Sequence, residues 1–277
     1  YGENAQIIHM DIDPAEIDKN VKADVPVLGN VKDTLPFLTE QVKSNSFPRW
    51  IERFREYEEE EYQKILKEHF DKSHKHIRMT DMILELNEKG KDALLVTDVG
   101  QHQMIACRYF HFTHSRSLVT SGGLGTMGFG LPAAVGAQIG APDRQVVAVV
   151  GDGGFQMTIQ ELGTIAQSNI PLKVIILNNS YLGMVRQWQQ LFFKKRYSST
   201  PITSPNYMKI AEGYGLNASR ITELSEVPGA LDELFEATGP YLLEVVVEKE
   251  DNVFPMVPPG ASVSDIILGP PQETENE

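Results

Sequence analysis

Two short stretches decide the fold: Val146-Val-Ala-Val-Val-Gly-Asp-Gly-Gly154 and Leu172-Lys-Val-Ile-Ile-Leu-Asn-Asn179. Each opens with a run of β-branched or aliphatic residues too short for a helix and too continuously apolar for a strand with one wet face. That is the pattern of a strand buried on both sides of a parallel sheet. Each run then stops on polar residues, Asp152 after the first and Asn178-Asn179 after the second.

Working outward, the same alternation continues. A helix over Thr80–Lys89 leads into a strand over Ala93–Asp98, a helix over Gly128–Gly140 into the strand Gln145–Gly151, and a helix over Thr158–Ser168 into the strand Leu172–Leu177. A last strand covers Tyr241–Val247. Helices alternating with buried strands predict an α/β domain over 77–265, with a sheet of about six parallel strands covered by helices on both faces. Before it, Gln6–Asp13 reads as a strand ending on carboxylates. Asp13-Pro14 then offers an N-cap and a first-turn proline for a helix. Val25–Leu28 reads as a second strand and Lys32–Val42 as a helix, so residues 1–42 look like the end of another α/β domain. Residues 43–76, rich in glutamate from Glu52 to Glu61, read as a charged, solvated helical linker, on which Trp50, Phe54, Tyr57 and Ile65 could still pin one side to a neighbour. Residues 266–277 read as an acidic tail.

Composition narrows the function classes. The 277 residues carry 25 Lys+Arg against 38 Asp+Glu, a net charge of −13, which argues against a nucleic-acid partner. The apolar runs fall far short of the ~20 residues of a membrane span. The single cysteine, Cys107, offers no internal disulfide, which fits a reducing compartment, and it reads as a buried thiol without an activating partner.

The chemistry gathers at the two strand ends. In an open parallel sheet ligands bind beyond the carboxyl ends of the strands. If the two strands are neighbours joined by a right-handed crossover, Asp152 and Asn179 face one space. A carboxylate and an amide oxygen are hard ligands, suited to Mg²⁺ or Ca²⁺ rather than zinc. Gly151, Gly153 and Gly154 open the following helix with bare backbone, where amide groups can approach an anion. Jointly these residues describe a diphosphate–metal site. Taken singly, each also reads as an N-cap, a tight turn or a loop cap. Gly123-Leu-Gly-Thr-Met-Gly128 matches the dinucleotide pattern G-x-G-x-x-G, but no strong strand leads into it and the expected acid does not follow, so it reads as a chance match. His102 has no carboxylate beside it in sequence and reads as a positioning or packing residue.

Gly-Asp-Gly followed at this spacing by Asn-Asn resembles the thiamine-diphosphate motif. Gln101-His-Gln-Met104, Ser121-Gly-Gly-Leu-Gly-Thr-Met-Gly-Phe-Gly-Leu-Pro132, Gly183-Met-Val-Arg-Gln-Trp-Gln-Gln-Leu-Phe192, Arg196-Tyr-Ser198 and Asp251-Asn-Val-Phe-Pro-Met-Val-Pro258 resemble the large catalytic subunits of the acetolactate synthase (acetohydroxyacid synthase) family. The resemblance spans nearly the whole chain.

That likeness implies a transferase using thiamine diphosphate and Mg²⁺. It joins pyruvate to a second 2-keto acid with loss of CO₂, giving 2-acetolactate or 2-aceto-2-hydroxybutyrate in branched-chain amino-acid biosynthesis. It implies Asp152, Asn179 and the main-chain carbonyl of Tyr181 as metal ligands. Gln101, His102 and the backbone of Gly151, Gly153 and Gly154 would hold the diphosphate. The Gly125 carbonyl would meet the pyrimidine amino group, and Met127 would be the wedge beneath the bent cofactor. Met184, Val185 and Trp188 would line the substrate pocket. The family's activating glutamate has no counterpart here, so no catalytic residue is assigned and the chain is expected to be a C-terminal portion inactive by itself. Residues 7–17 resemble the end of the family's FAD-binding middle domain, which puts FAD in the whole protein. A homodimer or tetramer, a regulatory small subunit, and a cytoplasmic, plastid or mitochondrial location complete the expectations. The alternatives are another thiamine-diphosphate 2-keto acid enzyme, such as a pyruvate oxidase, a glyoxylate carboligase or a decarboxylase, and a non-catalytic assembly module.

Overall fold

The computed structural model describes residues 4–67 and 74–269. The expected acidic tail beyond residue 269 and linker positions 68–73 lie outside them. The chain divides into two compact units, one ending at Glu58 and the other starting at Glu59, so the division falls within the segment expected as a linker.

In the first unit, strands β1 (Ile8–Asp11) and β2 (Val25–Leu28) pair in parallel, with Ile8 opposite Val25 and Asp11 opposite Leu28. Helix α1 (Val31–Gln41) follows, its first turn capped by Asn30, whose side chain accepts from the Lys32 amide. The helix expected from Pro14 does not form; residues 14–18 are turn. Asp11 Oδ1 takes the Asp13 amide at 2.8 Å and Asp13 Oδ1 takes the Ala15 amide at 2.9 Å. These local side-chain bonds satisfy the amides a helix would otherwise have to pair. Helix α2 (Pro48–Glu61) runs into a π-helical turn, Tyr62–Leu66. Trp50 and Phe54 meet edge-to-face at 5.3 Å and remain mostly exposed.

Among its described residues the second unit holds six parallel strands: β3 (Leu94–Thr97), β4 (Leu118–Thr120), β5 (Val146–Gly151), β6 (Lys173–Asn178), β7 (Asn217–Ile221) and β8 (Tyr241–Val246). Their order across the sheet is β4-β3-β5-β6-β8-β7. Val147 and Val149 of β5, Ile175 and Leu177 of β6, and Leu243 and Val245 of β8 face one core, together with Met82, Ile83 and Leu86 of α3 (Met79–Lys89), Ile105 of α4 (Gln101–Tyr109) and Leu231. Val146, Ala148, Val150, Val174, Ile176 and Leu242 face the other, with Leu131 and Ala134 of α5 (Gly130–Gly140), Phe155 of α6 (Asp152–Met157) and Ile165 of α7 (Glu161–Gln167). Side-chain alternation along each strand divides the residues between two helical layers. At about 1.5–3 kcal/mol for each fully buried aliphatic side chain, this double burial is what holds the sheet.

Three further helices complete the unit: α8 (Gly183–Phe192), α9 (Tyr207–Gly213) and α10 (Val227–Glu236). The sequence did not announce α4, α8, α9, α10, β4 or β7. β7, Asn-Ala-Ser-Arg-Ile, is an edge strand with a single large apolar side chain, so it carries no apolar run. Instead of the one helix expected over Thr158–Ser168 there are two, α6 starting directly at Asp152. Residues 266–269 turn back on the unit, where Met256 and Ile267 exchange backbone hydrogen bonds.

The strand order positions the site. From β3 the chain moves outward to β4, then returns to lay β5 on the other side of β3. Connections leave β3 and β5 in opposite directions, which opens a crevice at their carboxyl ends.

Candidate cofactor site

Beyond that crevice lies a cleft of about 300 Å³ whose walls include Gln101, His102, Met127, Gly151, Asp152, Gly153, Gly154, Asn179, Tyr181, Met184 and Val185. β5 and β6 are adjacent, with Gly151 opposite Leu177, so Asp152 and Asn179 enter the same space. Most of the residues singled out in the sequence therefore meet in one place. Two do not line it. Gly125 sits in a turn closed by its amide on the Ser121 carbonyl at 3.0 Å. Trp188 lines a neighbouring apolar hollow of about 620 Å³ with Met184, Val185, Gln189, Phe193 and Arg196. Met184 and Val185 border both spaces, so α8 forms the partition between them.

Asp152 is almost fully buried at the first turn of α6. Its Oδ2 accepts from the Ser180 amide and from Ser204 Oγ, each at 3.1 Å. Burial pushes its carboxyl up to about 6 in spite of these bonds, because desolvation penalises the charged form. A cation beside it would reverse that penalty.

The paired asparagines point to different partners. Asn178 donates to Glu244 Oε1 at 2.7 Å on the far side of the strand end, whereas Asn179 faces the cleft. Asn179 Oδ1 accepts from the Tyr181 amide at 3.1 Å, a turn that places the Tyr181 backbone on the cleft wall, and its Nδ2 donates to Gln101 Oε1 at 3.2 Å. Among the described residues no cluster of three or more His, Cys, Asp or Glu side chains is arranged to hold a metal. The donor set here is of another kind: one carboxylate, one amide oxygen and one main-chain carbonyl, all hard oxygen ligands.

Gln101 is committed to protein partners. Besides Asn179, its Nε2 donates to Gln187 Oε1 and to the Asp251 carbonyl, both at 2.9 Å. Gln187 in turn exchanges two bonds with the Val253 backbone, at 3.0 and 2.8 Å. Arg186, fully buried, donates to the Asp251 carbonyl and to Asn252 Oδ1. The segment after β8 is thereby fastened to α4 and α8 from Asp251 to Val253.

Among the described cleft residues, His102 carries a buried side-chain polar atom without a partner. Its ring is 4% exposed, and Nε2 has no hydrogen-bond partner among the described residues. Burial pulls its pKa down to about 4, against the opposing charge of Asp98. A buried polar atom without a partner costs about 1–3 kcal/mol, so an anionic oxygen arriving in the cleft would meet a group that lacks one.

Sequence reasoning missed Asp98, Arg186 and Gln187. Asp98 ends β3 as Asp152 ends β5, a strand-end carboxylate that the apolar pattern absorbed into the strand. Arg186 and Gln187 stood inside a quoted motif, but only the fold shows them to be buried. Cys107 corrects an expectation: it is exposed rather than buried. Partial burial still raises its thiol pKa, which keeps it a poor nucleophile.

Residues 98–245 match the family model described as "Thiamine pyrophosphate enzyme, C-terminal TPP binding domain". The chain is 42% identical over 269 residues, 96% of its own length, to "Acetolactate synthase isozyme 2 large subunit" of Escherichia coli (strain K12), covering 48% of that protein. It is 40% identical over 272 residues to "Acetolactate synthase large subunit" of Porphyra purpurea, with 95% of this chain and 45% of that protein covered. To the protein of the same name from Lactococcus lactis subsp. lactis (strain IL1403) it is 40% identical over 278 residues, with 99% and 47% covered. The chain spans about half the length of the curated relatives it matches.

Proposed function

The chain belongs to the family of thiamine pyrophosphate enzyme C-terminal TPP-binding domains, and from that premise we propose that it is the cofactor-holding part of an enzyme joining two 2-keto acids, pyruvate with pyruvate or 2-ketobutyrate, in the manner of an acetolactate synthase. The observation that carries the reading is the meeting of Asp152, Asn179, Tyr181 and the glycines after β5 in one cleft with the unpartnered Nε2 of His102.

The residues fit the group. Asp152, the Asn179 amide oxygen and the Tyr181 carbonyl would hold Mg²⁺, and the metal's charge offsets the desolvation that now raises the Asp152 carboxyl. The bare backbone of Gly153 and Gly154, at the start of α6, leaves room for diphosphate oxygens. His102 would give the diphosphate its buried Nε2, and negative charge there would favour the protonated ring. Gln101 holds Asn179 in orientation, so its part is support of the metal ligand rather than a free donor. Met127, whose methyl lies 3.7 Å from where a Gly153 side chain would begin, lines the cleft beside the diphosphate glycines. Bound thiamine diphosphate supplies the carbon nucleophile that adds to a 2-keto acid and takes up the electrons left by departing CO₂. Met184, Val185 and Trp188 provide an apolar wall on which the second keto acid would lie, drier than bulk water.

Val185, Trp188 and Phe193 remain substantially exposed around the hollow, which supports burial against another subunit in a homodimer or tetramer. FAD belongs to the proposal for the whole protein, supported by the likeness of residues 7–17 to the family's middle domain.

A thermal-shift titration tests the reading. A ligand held only by the native state raises stability by about 2.7 kcal/mol at a hundred times its Kd. Thiamine diphosphate should raise the melting temperature when Mg²⁺ is present and not with chelator. No shift with both at millimolar concentration overturns the cofactor reading. Product analysis of the whole protein fed pyruvate then separates carboligation, which yields acetolactate, from decarboxylation to an aldehyde.

A further inference from the structure

The glycine run that imitates a dinucleotide motif has a partner, and the partner is a carboxylate of the protein itself. Asp98 is 1% exposed at the end of β3. Its Oδ1 accepts from the Val99 amide at 2.7 Å and the Gly128 amide at 3.0 Å, and its Oδ2 accepts from the Gly130 amide at 2.8 Å. Its own amide donates to the Val149 carbonyl at 3.0 Å, so the carboxylate stands on the β3–β5 pair that opens the crevice. Backbone amides that a nucleotide-binding loop would offer to phosphate are here spent on Asp98.

The fit is close on every side. Gly128 adopts φ +86°, a conformation that costs glycine little. A Cβ on Gly130 would lie 2.8 Å from Asp98 Cβ, and one on Gly154 would fall on the carboxylate itself. Upstream the loop has only short-range ties: Gly125 to the Ser121 carbonyl and Thr126 to Ser121 Oγ. Leu124 at its tip is 93% exposed. Met127, immediately before the clasped Gly128, is the residue of this loop that walls the cleft.

We propose that Asp98 is the positioning residue that sets loop 121–130, and with it Met127, against the thiamine end of the cofactor. The proposal rests on the cofactor reading above. It assigns the diphosphate end to α6, Asp152 and Asn179, and the organic end to a loop that this carboxylate holds in register, with Thr158 Oγ1 donating to the Gly128 carbonyl at 3.1 Å on the other side. Without the carboxylate, buried amides lose their acceptor and Met127 is no longer fixed.

Calorimetric titration of the 277-residue chain and its Asp98→Asn variant tests this, using thiamine diphosphate and inorganic diphosphate, each with Mg²⁺. The expected result is a loss of about tenfold or more in affinity for thiamine diphosphate, because binding must then order the released loop around Met127, with inorganic diphosphate changed less than about threefold. Equal losses for both ligands, or none, overturn the proposal. A wild-type chain that binds neither overturns the cofactor reading and the proposal with it; one that binds both while Asp98→Asn alters neither overturns the proposal alone. Hydrogen exchange on the wild type gives a result that does not depend on the variant's folding. The Gly128 and Gly130 amides should exchange at least about a hundredfold more slowly than those of Gly122 and Gly123, and equal rates overturn the clasp.

Discussion

A Cβ placed on Gly151 would lie 2.9 Å from Cε1 of His102. The last residue of the central strand is thus bare because an imidazole from the neighbouring βα connection occupies its side-chain space. The same ring meets Gly100 as closely, so His102 is wedged between the ends of β3 and β5.

Gly151→Ala should therefore displace His102 rather than simply crowd the strand. Overpacking of this kind costs about 1–3 kcal/mol, and cofactor binding should fall with it. Thermal melting gives the first quantity and the cofactor-induced shift gives the second; an unchanged cofactor shift in a folded variant would separate the ring from the ligand.

His102 also sets a pH dependence. In the unfolded chain it titrates near 6.5, and in the native chain burial lowers that to about 4. Between those values the unfolded chain binds the extra proton, so this contribution is complete above pH 6.5 and is lost as pH falls toward 4. Over that window it amounts to roughly 3 kcal/mol. Replacing His102 by Gln should flatten the acid limb of the stability profile across this window, as denaturant titrations at pH 4.5 and 7 would show.

Asp152 has the opposite sign. Its native carboxyl titrates near 6 and its unfolded one near 3.8. The native state therefore holds the extra proton between them, and stability of the ligand-free chain falls as pH rises through that interval. Asp152→Asn should be more stable than wild type at pH 8, and that advantage should shrink as pH falls below 6 and vanish near pH 3.8. The same variant should abolish the Mg²⁺ dependence of cofactor binding. If it melts below wild type at pH 8, the buried carboxylate is not the burden its surroundings make it.

Gln187 ties Gln101 to the Val253 backbone. Gln187→Ala leaves several buried polar groups without partners, at about 1–3 kcal/mol for each one that water does not reach. Hydrogen exchange should accelerate across residues 251–254 and the Mg²⁺ requirement for cofactor binding should rise, because Gln101 orients Asn179. Truncation after Val247 in the whole protein should show the same disturbance as a raised KM or a lowered kcat.

The sequence by itself determined a great deal. Runs such as Val146–Val150 and Val174–Leu177 have one low-energy environment, the interior of a parallel sheet between two helical layers, so fold class followed from local hydrophobicity. Polar residues at the ends of such runs sit at the carboxyl edge of the sheet, where function collects. That is why Asp152, Asn179 and the glycines between them were legible as a site. Tertiary structure alone decided the rest, because it brought together residues whose neighbours are distant in sequence. The strand order made β3 adjacent to β5 and turned Asp98 from the last letter of a strand into the acceptor for a loop some 30 residues away. It buried Gln187 and Arg186 against a segment more than 60 residues on, and it left Cys107 at the surface. A hydrogen bond across such a span leaves no periodicity in the chain; only the closed fold, by removing water from both partners, makes the bond necessary.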